Sequence, residues 1–505
     1  MSRVATFVLI LFATLPTYVQ AQTVGGPCPT SNSTKQTISK ASPDLICVIQ
    51  QVYGPGGLVG APNNGPLGST DQTSATFKHS VHFQSGALAS FTPLTAAIGT
   101  QLGHLPITSP VSGFVFNFNP STGAVVEASQ NFGPILSERP QTIGRHKLFL
   151  GFSYQYFDFD KVDGVNLRKF GAVFHHEFET GGCPNPNPTI SCYVNSNGVS
   201  VPVITQDFVS TQNRIDLKVH QFIAVGTFGV TSRFDLSVAI PILNVRTDMT
   251  SDATIQNIEN TNFSVIPSCC VHVFSNPGLP KGETLFAPIT IHNTVNNTTF
   301  TYNNHALFQR ASSASGIGDV VFRAKYRILQ AEKVGLAAGA DVRAPSGDEL
   351  NFLGTGTWGF RPFVVFGYAG RVSPHANLGI QINGDSILAG DVTSNTSKHL
   401  PNVLNYSAGV DVGATKRITL TGDFLGLAIF NTKKIVNAAS VSDFSGGSHT
   451  DIGNATATLN QANISLGGKI RAFHRLLITA NVLFPVNDAG LHYKPAPLIG
   501  ISQTF

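Results

Sequence analysis

The chain has 505 residues, of which 12% are charged, 42% are hydrophobic and 49 are glycine. Soluble domains average about 25% charged residues, so this chain has too few charges to cover a large water-facing exterior. Its net charge of +4 is small for the length and gives no indication of a nucleic-acid partner.

The N-terminus predicts a secretory signal peptide over residues 1–21. Arg3 provides a positive charge, residues 4–15 form a short apolar core, and Val-Gln-Ala at 19–21 is a small-residue cleavage site. No later run reaches 18 apolar residues, the length that a membrane-spanning helix needs. We therefore expect an exported protein without a helical membrane anchor.

Residues 22–110 are rich in Gly, Pro, Ser and Thr and show no sustained periodicity. A short helix is predicted near Leu94 to Leu102. A segment of this kind could fold into the interior of the domain that follows and plug it. It could equally form a flexible extension, and the sequence leaves both alternatives open.

Six cysteines fit an oxidising compartment. One pair lies near the mature N-terminus, one pair brackets a short Pro-Asn loop, and one pair is adjacent in sequence, where it forms a vicinal bridge or pairs elsewhere. Their spacing does not resemble a metal site. The three pairs are Cys28 and Cys47, Cys183 and Cys192, and Cys269 and Cys270.

From about residue 147 onward, apolar and polar side chains alternate in strand after strand. Within residues 319–344, for example, Phe322 and Tyr326 share one face and Arg323 and Lys325 the other. Period two indicates a β-sheet with one apolar and one polar face. The arms have the ten or eleven residues that a tilted strand needs to cross a bilayer. A soluble β-sandwich would also alternate, so other features must decide.

Short turns alternate with long polar segments, as in outer-membrane barrels. The long segments, predicted as loops, are 180–213, 246–315, 385–402 and 431–461. Together with the signal peptide and low charge, this asymmetry favours an all-β fold, a transmembrane antiparallel β-barrel over residues 111–505. Thirteen strands follow residue 147, and an even number requires one more, from 113–119 or 123–130. Fourteen strands are expected, with twelve or sixteen as alternatives.

The chain ends in Phe505. A terminal aromatic residue after an alternating strand resembles the signal by which outer-membrane proteins are recognised for assembly. We expect the assembly machinery and outer-membrane lipid as partners and the outer membrane of a Gram-negative bacterium as the location.

Charged residues on the polar strand faces are predicted to point into the lumen. An Arg or Lys on the lipid face would cost about 2–4 kcal/mol near the midplane. If residues whose numbers sum to 664 face each other, Arg323 lies opposite Asp341. The charges could brace the wall or contact a solute. The candidates are Asp319, Arg323, Lys325, Arg327, Asp341, Arg343, Asp411, Asp423, Lys469 and Arg471.

His175, Glu177 and Glu179 share one strand face and could bind a divalent cation, although a polar lumen rim explains them more simply. No GxSxG, P-loop or HExxH motif is present. We expect no cofactor and no enzymatic activity, although a Ser/His pair on the wall would suffice for an outer-membrane hydrolase.

Four short motifs carry a resemblance to a known family. Gly-Ile-Gly-Asp at 316–319, Ala-Lys-Tyr-Arg at 324–327, Pro-Ser-Gly-Asp at 345–348 and Gly-Thr-Gly at 354–356 resemble the phenol meta-pathway family of outer-membrane proteins. The resemblance covers roughly residues 145–505. That family is remotely similar to the fatty-acid and aromatic-hydrocarbon transporters.

Membership implies a passive channel for small apolar molecules. The alternative is a general porin, or a structural or surface-displaying barrel without specific transport. A blocked lumen with an apolar pocket would favour the first, and an open charged lumen the second.

Overall fold

The structure of the protein is a computed structural model. Described residues are 27–28, 42–54, 58, 83–109, 113–119, 124–127, 130–175, 191–194, 200–203, 208–256, 274, 284–285, 289–293, 298–302, 304–331, 333–443 and 446–505.

Within these ranges, 12 antiparallel strands close into a barrel. Each strand pairs with its neighbours in the chain, and the last pairs with the first. The strands are β1 (Leu148–Val162), β2 (Phe208–Gly229), β3 (Phe234–Gln256), β4 (His305–Ile317 and Val320–Ala331), β5 (Val334–Ala344), β6 (Gly359–Tyr368), β7 (Val372–Asn383), β8 (Val403–Gly413), β9 (Ile418–Ser442), β10 (Ser448–Phe473), β11 (Leu476–Pro485) and β12 (Ala496–Thr504). Both parts of β4 run along β3 and form one interrupted strand.

Shorter elements add to this wall or lie beside it. Four short strands extend the main sheet: Val165–Asn166, Phe170–His175, Thr284–Leu285 and Leu491–Tyr493. Four separate hairpins pair Phe116–Asn119 with Ala124–Glu127, Ser191–Val194 with Ser200–Val203, Ile289–Asn293 with Thr298–Tyr302, and Asp385–Asp391 with Thr396–His399. The helices among the described residues are α1 (Cys47–Gln50), α2 (Gln84–Leu102) and the 3-10 helix Glu349–Asn351.

The all-β barrel fold is confirmed. The barrel has twelve strands, which is one of the two alternatives to the expected fourteen. The extra strand sought at 113–119 or 123–130 is not part of the barrel wall, because those residues pair with each other. Two strands of four residues each are too short to cross a bilayer. The first barrel strand begins at Leu148.

The barrel exterior is an apolar belt. On β6, for instance, Phe366 is 54% exposed whereas its neighbour Val365 is fully buried. The same alternation surrounds the wall, because each strand places every second side chain outward. None of the described helices is long and apolar enough to span a bilayer. Exposed members of the belt are Leu150, Phe152, Phe222, Leu236, Ile242, Val342, Val364, Leu378, Ile380, Leu420, Ile464, Leu466, Ile478 and Ile499.

Two of the long loops predicted from polarity are largely strand. Strand β3 continues to Gln256, and β9 and β10 have 25 and 26 residues. These extensions continue beyond the belt, where neither face meets hydrocarbon, so the apolar alternation that identified the other strands disappears. The tight turn at 161–165 lies at this same end of the barrel, since β1 ends there.

The described part of the N-terminal segment packs inside the barrel. Helix α2 begins at Gln84, ten residues before the predicted short helix, and its apolar side chains Phe91, Leu94 and Ile98 are buried in one core with inward-facing barrel residues such as Val245. We call these described residues of the N-terminal segment the plug; for residues 22–110 as a whole, both alternatives stay predictions.

A disulfide joins Cys28 to Cys47 within this plug. The other proposed pairings stay predictions. Cys183, Cys269 and Cys270 lie outside the described residues, and the side chain of Cys192 is not described.

Candidate functional site in the barrel lumen

A second stretch of chain, residues 130–147, lies inside the barrel near the short-turn end, and we call it the lumenal segment. Two buried lysines of the wall hold it. Lys469 Nζ donates to the carbonyls of Phe132, Gly133 and Pro134 at 3.1, 2.6 and 2.6 Å. An ammonium group has three donors, so a lysine that is 0% exposed is satisfied by these backbone oxygens.

Lys325, on the other side of the barrel, makes a similar set of contacts. Its Nζ donates to the carbonyls of Arg139 and Gln141, both at 3.0 Å, and lies 3.5 Å from Glu138 Oε2. These two lysines, predicted to face the lumen, do face it, and each fixes a different part of the lumenal segment.

An acid–histidine cluster completes the attachment. Asp423 Oδ1 accepts hydrogen bonds from Ser137 Oγ at 2.9 Å and from His375 Nε2 at 2.7 Å. His375 Nδ1 lies 3.5 Å from Asp411 Oδ2. The predicted lumen residues Asp411 and Asp423 therefore meet at one point of the wall and, through Ser137, contact the lumenal segment.

Above this attachment lies an arginine–carboxylate cluster. Arg323 Nε and Nη2 donate to Asp341 Oδ1 and Oδ2 at 2.6 and 2.8 Å, and the two residues face each other in the β4–β5 register. Arg361 contacts the same carboxylate from β6, and Glu138 of the lumenal segment contacts Arg323. The cluster joins three strands to the lumenal segment.

Asp319 and Arg343 form a separate pair beside this cluster. Arg343 Nε lies 3.6 Å from Asp319 Oδ2, and Arg343 Nη2 donates to Asn383 Oδ1 at 2.7 Å. Asp319 also accepts from the backbone N–H of Gly347 and Thr355 at 3.1 and 2.8 Å. Through these contacts Asp319 fixes the connection between β5 and β6, which contains the family-like motifs at 345–348 and 354–356.

A cavity of ≈ 250 Å³ lies in the lumen next to the C-terminal end of α2 and the lumenal segment. One wall is charged and contains Arg323, Asp341 and Arg361, whereas the other is mostly apolar. An apolar cavity of about 150 Å³ is large enough for benzene, so this one has room for a small aromatic molecule. The apolar wall contains Phe159, Leu425, Leu427, Leu483, Leu491 and Tyr493.

His104 also lines the cavity, just after α2. Burial, reinforced by the positive charge of Arg343, lowers the pKa of this imidazole to about 3, so the ring is neutral at physiological pH. Its Nε2 is buried and has no hydrogen-bond partner among the described residues. Sequence reasoning missed His104 and Glu138, because both lie in segments without periodicity and acquire their environment only by docking in the lumen.

The remaining candidates lie away from the cavity. Arg327 Nη2 donates to the carbonyl of Ser232 at 2.9 Å in a neighbouring turn. The Arg471 guanidinium lies 4.4 Å from the ring centroid of Phe114, which braces the short-turn end. Among the described residues no three His, Cys, Asp or Glu side chains are arranged so that they could hold a metal ion. Glu177 and Glu179 fall outside those residues, so the cation site with His175 stays untested.

Residues 202–450 match the family model described as "Putative MetA-pathway of phenol degradation". Over this part, the chain is similar to that family. The match confirms the resemblance drawn from the short motifs, and with the apolar belt around a closed barrel it identifies an outer-membrane β-barrel protein. No curated protein sequence matches the chain.

Several solved structures have a distantly similar fold. The COG4313 outer membrane channel from Pseudomonas putida F1 is 9% identical, with a TM-score of 0.38, over 73% of this chain and 99% of that one. A Pseudomonas aeruginosa FadL homologue is 11% identical, with a TM-score of 0.30, over 78% and 96%. The deltaS2 mutant of the TodX monoaromatic hydrocarbon channel is 10% identical, with a TM-score of 0.28, over 73% and 93%. Similarities this low say nothing about the solute of this protein.

Proposed function

We propose that the protein is a channel for the passive movement of small hydrophobic or aromatic compounds across the outer membrane. The observation that carries this proposal is the filled lumen: α2 and the lumenal segment occupy the interior and leave a cavity with one apolar wall between them. A general porin needs an open, water-filled passage, whereas a small apolar solute needs only successive apolar contacts.

The size and lining of the cavity suit transient occupancy. Burying a ring of the size of a Phe side chain contributes about 1.5–3 kcal/mol, which alone corresponds to a Kd of about 6–80 mM, and the cost of association weakens binding further. A conducting site must bind well enough to admit a solute and weakly enough to release it. The description of the matched family, phenol degradation, supports aromatic compounds as the solute class.

The test compares two kinds of solute in proteoliposomes that contain the purified protein. We expect uptake of radiolabelled toluene to exceed that of empty liposomes, while swelling in isosmotic sugar stays at the level of empty liposomes. Sugar flux without toluene uptake would contradict the proposal and support a general porin.

A matched pair of variants on β9 links the uptake to the cavity. Leu427→Trp adds volume to the apolar wall of the cavity, so toluene uptake should fall severalfold. Leu420→Trp makes the same replacement at a lipid-facing position that is 54% exposed, and uptake should stay at the wild-type level. Equal uptake by both variants would show that the solute does not pass through this cavity.

A further inference from the structure

The short turns at one end of the barrel carry a ring of cations, which we call the basic rim. At least one Lys or Arg lies in each of the turns that follow β2, β4, β6, β8 and β10. The stretch before β1 also contributes such residues. No acidic residue occurs among the described residues of these turns. The basic rim comprises Arg145, Lys147, Arg233, Lys333, Arg371, Lys416, Arg417 and Arg475.

Among the described residues, no carboxylate side chain neutralises the charges of the basic rim. None of its members forms an ion pair with a described side chain, whereas cations at the opposite end of the barrel do. Lys161 pairs with Asp488 at 2.9 Å and Arg214 with Asp216 at 2.7 Å. Glu332 neighbours Lys333 in the sequence but is outside the described residues.

The rim directly adjoins the apolar belt. Val372, which follows Arg371, is 51% exposed, and Phe473, two residues before Arg475, is 68% exposed. The terminal Phe505, 52% exposed, lies at the same end. Aromatic side chains at this height mark the membrane–water interface, so the neighbouring cations lie at the height of lipid headgroups.

We propose that the basic rim binds the phosphate headgroups of anionic phospholipids in the inner leaflet of the outer membrane. Short turns of such barrels face the periplasm, which places the rim at that leaflet. Anionic headgroups attract basic residues near the membrane surface by about 1 kcal/mol for each Lys or Arg. Among the described residues, the rim cations contact carbonyls and rings, as Arg371 does with the Gly413 carbonyl and Arg475 with the Phe116 ring, but no carboxylate side chain, so an anionic headgroup can supply the opposite charge. The inference does not depend on what the channel transports.

The experiment measures lipid binding by native mass spectrometry of the detergent-purified protein, titrated with phosphatidylglycerol or with phosphatidylcholine. Wild-type protein should retain phosphatidylglycerol in preference to phosphatidylcholine. The triple variant Arg233→Gln, Lys416→Gln, Arg417→Gln removes three exposed rim charges, and phosphatidylglycerol binding at the altered turns should weaken about fivefold for each charge lost. Phosphatidylcholine binding should not change.

The control removes the same number of charges at the opposite end. Arg246→Gln, Lys398→Gln, Lys433→Gln changes three exposed cations that form no ion pair with a described residue, and it should retain the wild-type lipid preference. A rim variant that keeps this preference would overturn the proposal. An equal loss in both triple variants would also overturn it, because the effect would then follow net charge and not the rim.

Discussion

Replacing Lys469 by Met is expected to release the lumenal segment without unfolding the barrel. Methionine has a similar length but no donor, so the three carbonyls of residues 132–134 lose the hydrogen bonds they receive from Nζ. At about 1 kcal/mol for each bond, the free energy that holds the segment in place falls by about 3 kcal/mol. Since 1.4 kcal/mol is a factor of ten, opening becomes about 100-fold more frequent.

Amide hydrogen exchange followed by mass spectrometry is the direct assay, in proteoliposomes at constant pH. Peptides from 130–147 should exchange about 100-fold faster in the variant, while peptides from the strands keep their protection. Sugar permeation should rise, because the obstruction at the short-turn end is loosened. The matched control is Lys433→Met, at an exposed lysine of β9. Unchanged exchange in 130–147 would refute the reasoning, since it would mean that these three bonds do not hold the segment.

Three further outcomes are expected. Asp341→Asn leaves Arg323 and Arg361 without their shared carboxylate, and breaking a buried ion pair costs about 3–5 kcal/mol. Heat-dependent gel mobility should therefore show that the variant unfolds at a lower temperature than the wild type. Equal unfolding temperatures would contradict this expectation. Reducing the Cys28–Cys47 disulfide, which spans 19 residues, should lower the stability of the plug by about 3 kcal/mol, measured as faster protease cleavage before α2 with no change in the barrel. Because the pKa of His104 falls to about 3 from its ordinary 6.5, its contribution to the free energy of unfolding is complete above pH 6.5 and is lost as pH falls toward 3, by about 1.4 kcal/mol for each pH unit. His104→Gln should therefore flatten the plot of stability against pH between pH 6.5 and 3. Parallel plots for the variant and the wild type would show that protonation of His104 does not cause the loss.

The wall of the barrel could be predicted from the sequence because lipid on one side and a polar interior on the other impose period two on every strand. Register could be predicted where a tight turn fixes it, as for Arg323 and Asp341. Strand number was harder, since the stretches expected to supply a fourteenth wall strand contain residues 116–119 and 124–127, which pair with each other. Beyond the belt the alternation ceases, so the sequence predicts loops where the long ends of β9 and β10 lie.

The interior could not be predicted in the same way. Glu138 and His104 acquire their surroundings from residues that are far away in the chain, such as Arg323 and Arg343. No local pattern encodes such docking. Lysines 325 and 469 could be assigned to the lumen by the cost of placing them in lipid, but nothing in the sequence indicates that their partners are backbone carbonyls.

The lumenal segment also constrains the order in which the barrel assembles. It ends where β1 begins, and β1 forms the seam with β12. Its anchors on β4, β9 and β10 are made nearly 200 to more than 300 residues later in the chain. A segment of this bulk cannot be threaded sideways through a closed wall of paired strands. We therefore expect it to settle against the growing sheet first, so that closure of the β1–β12 seam traps it and is the last step of folding.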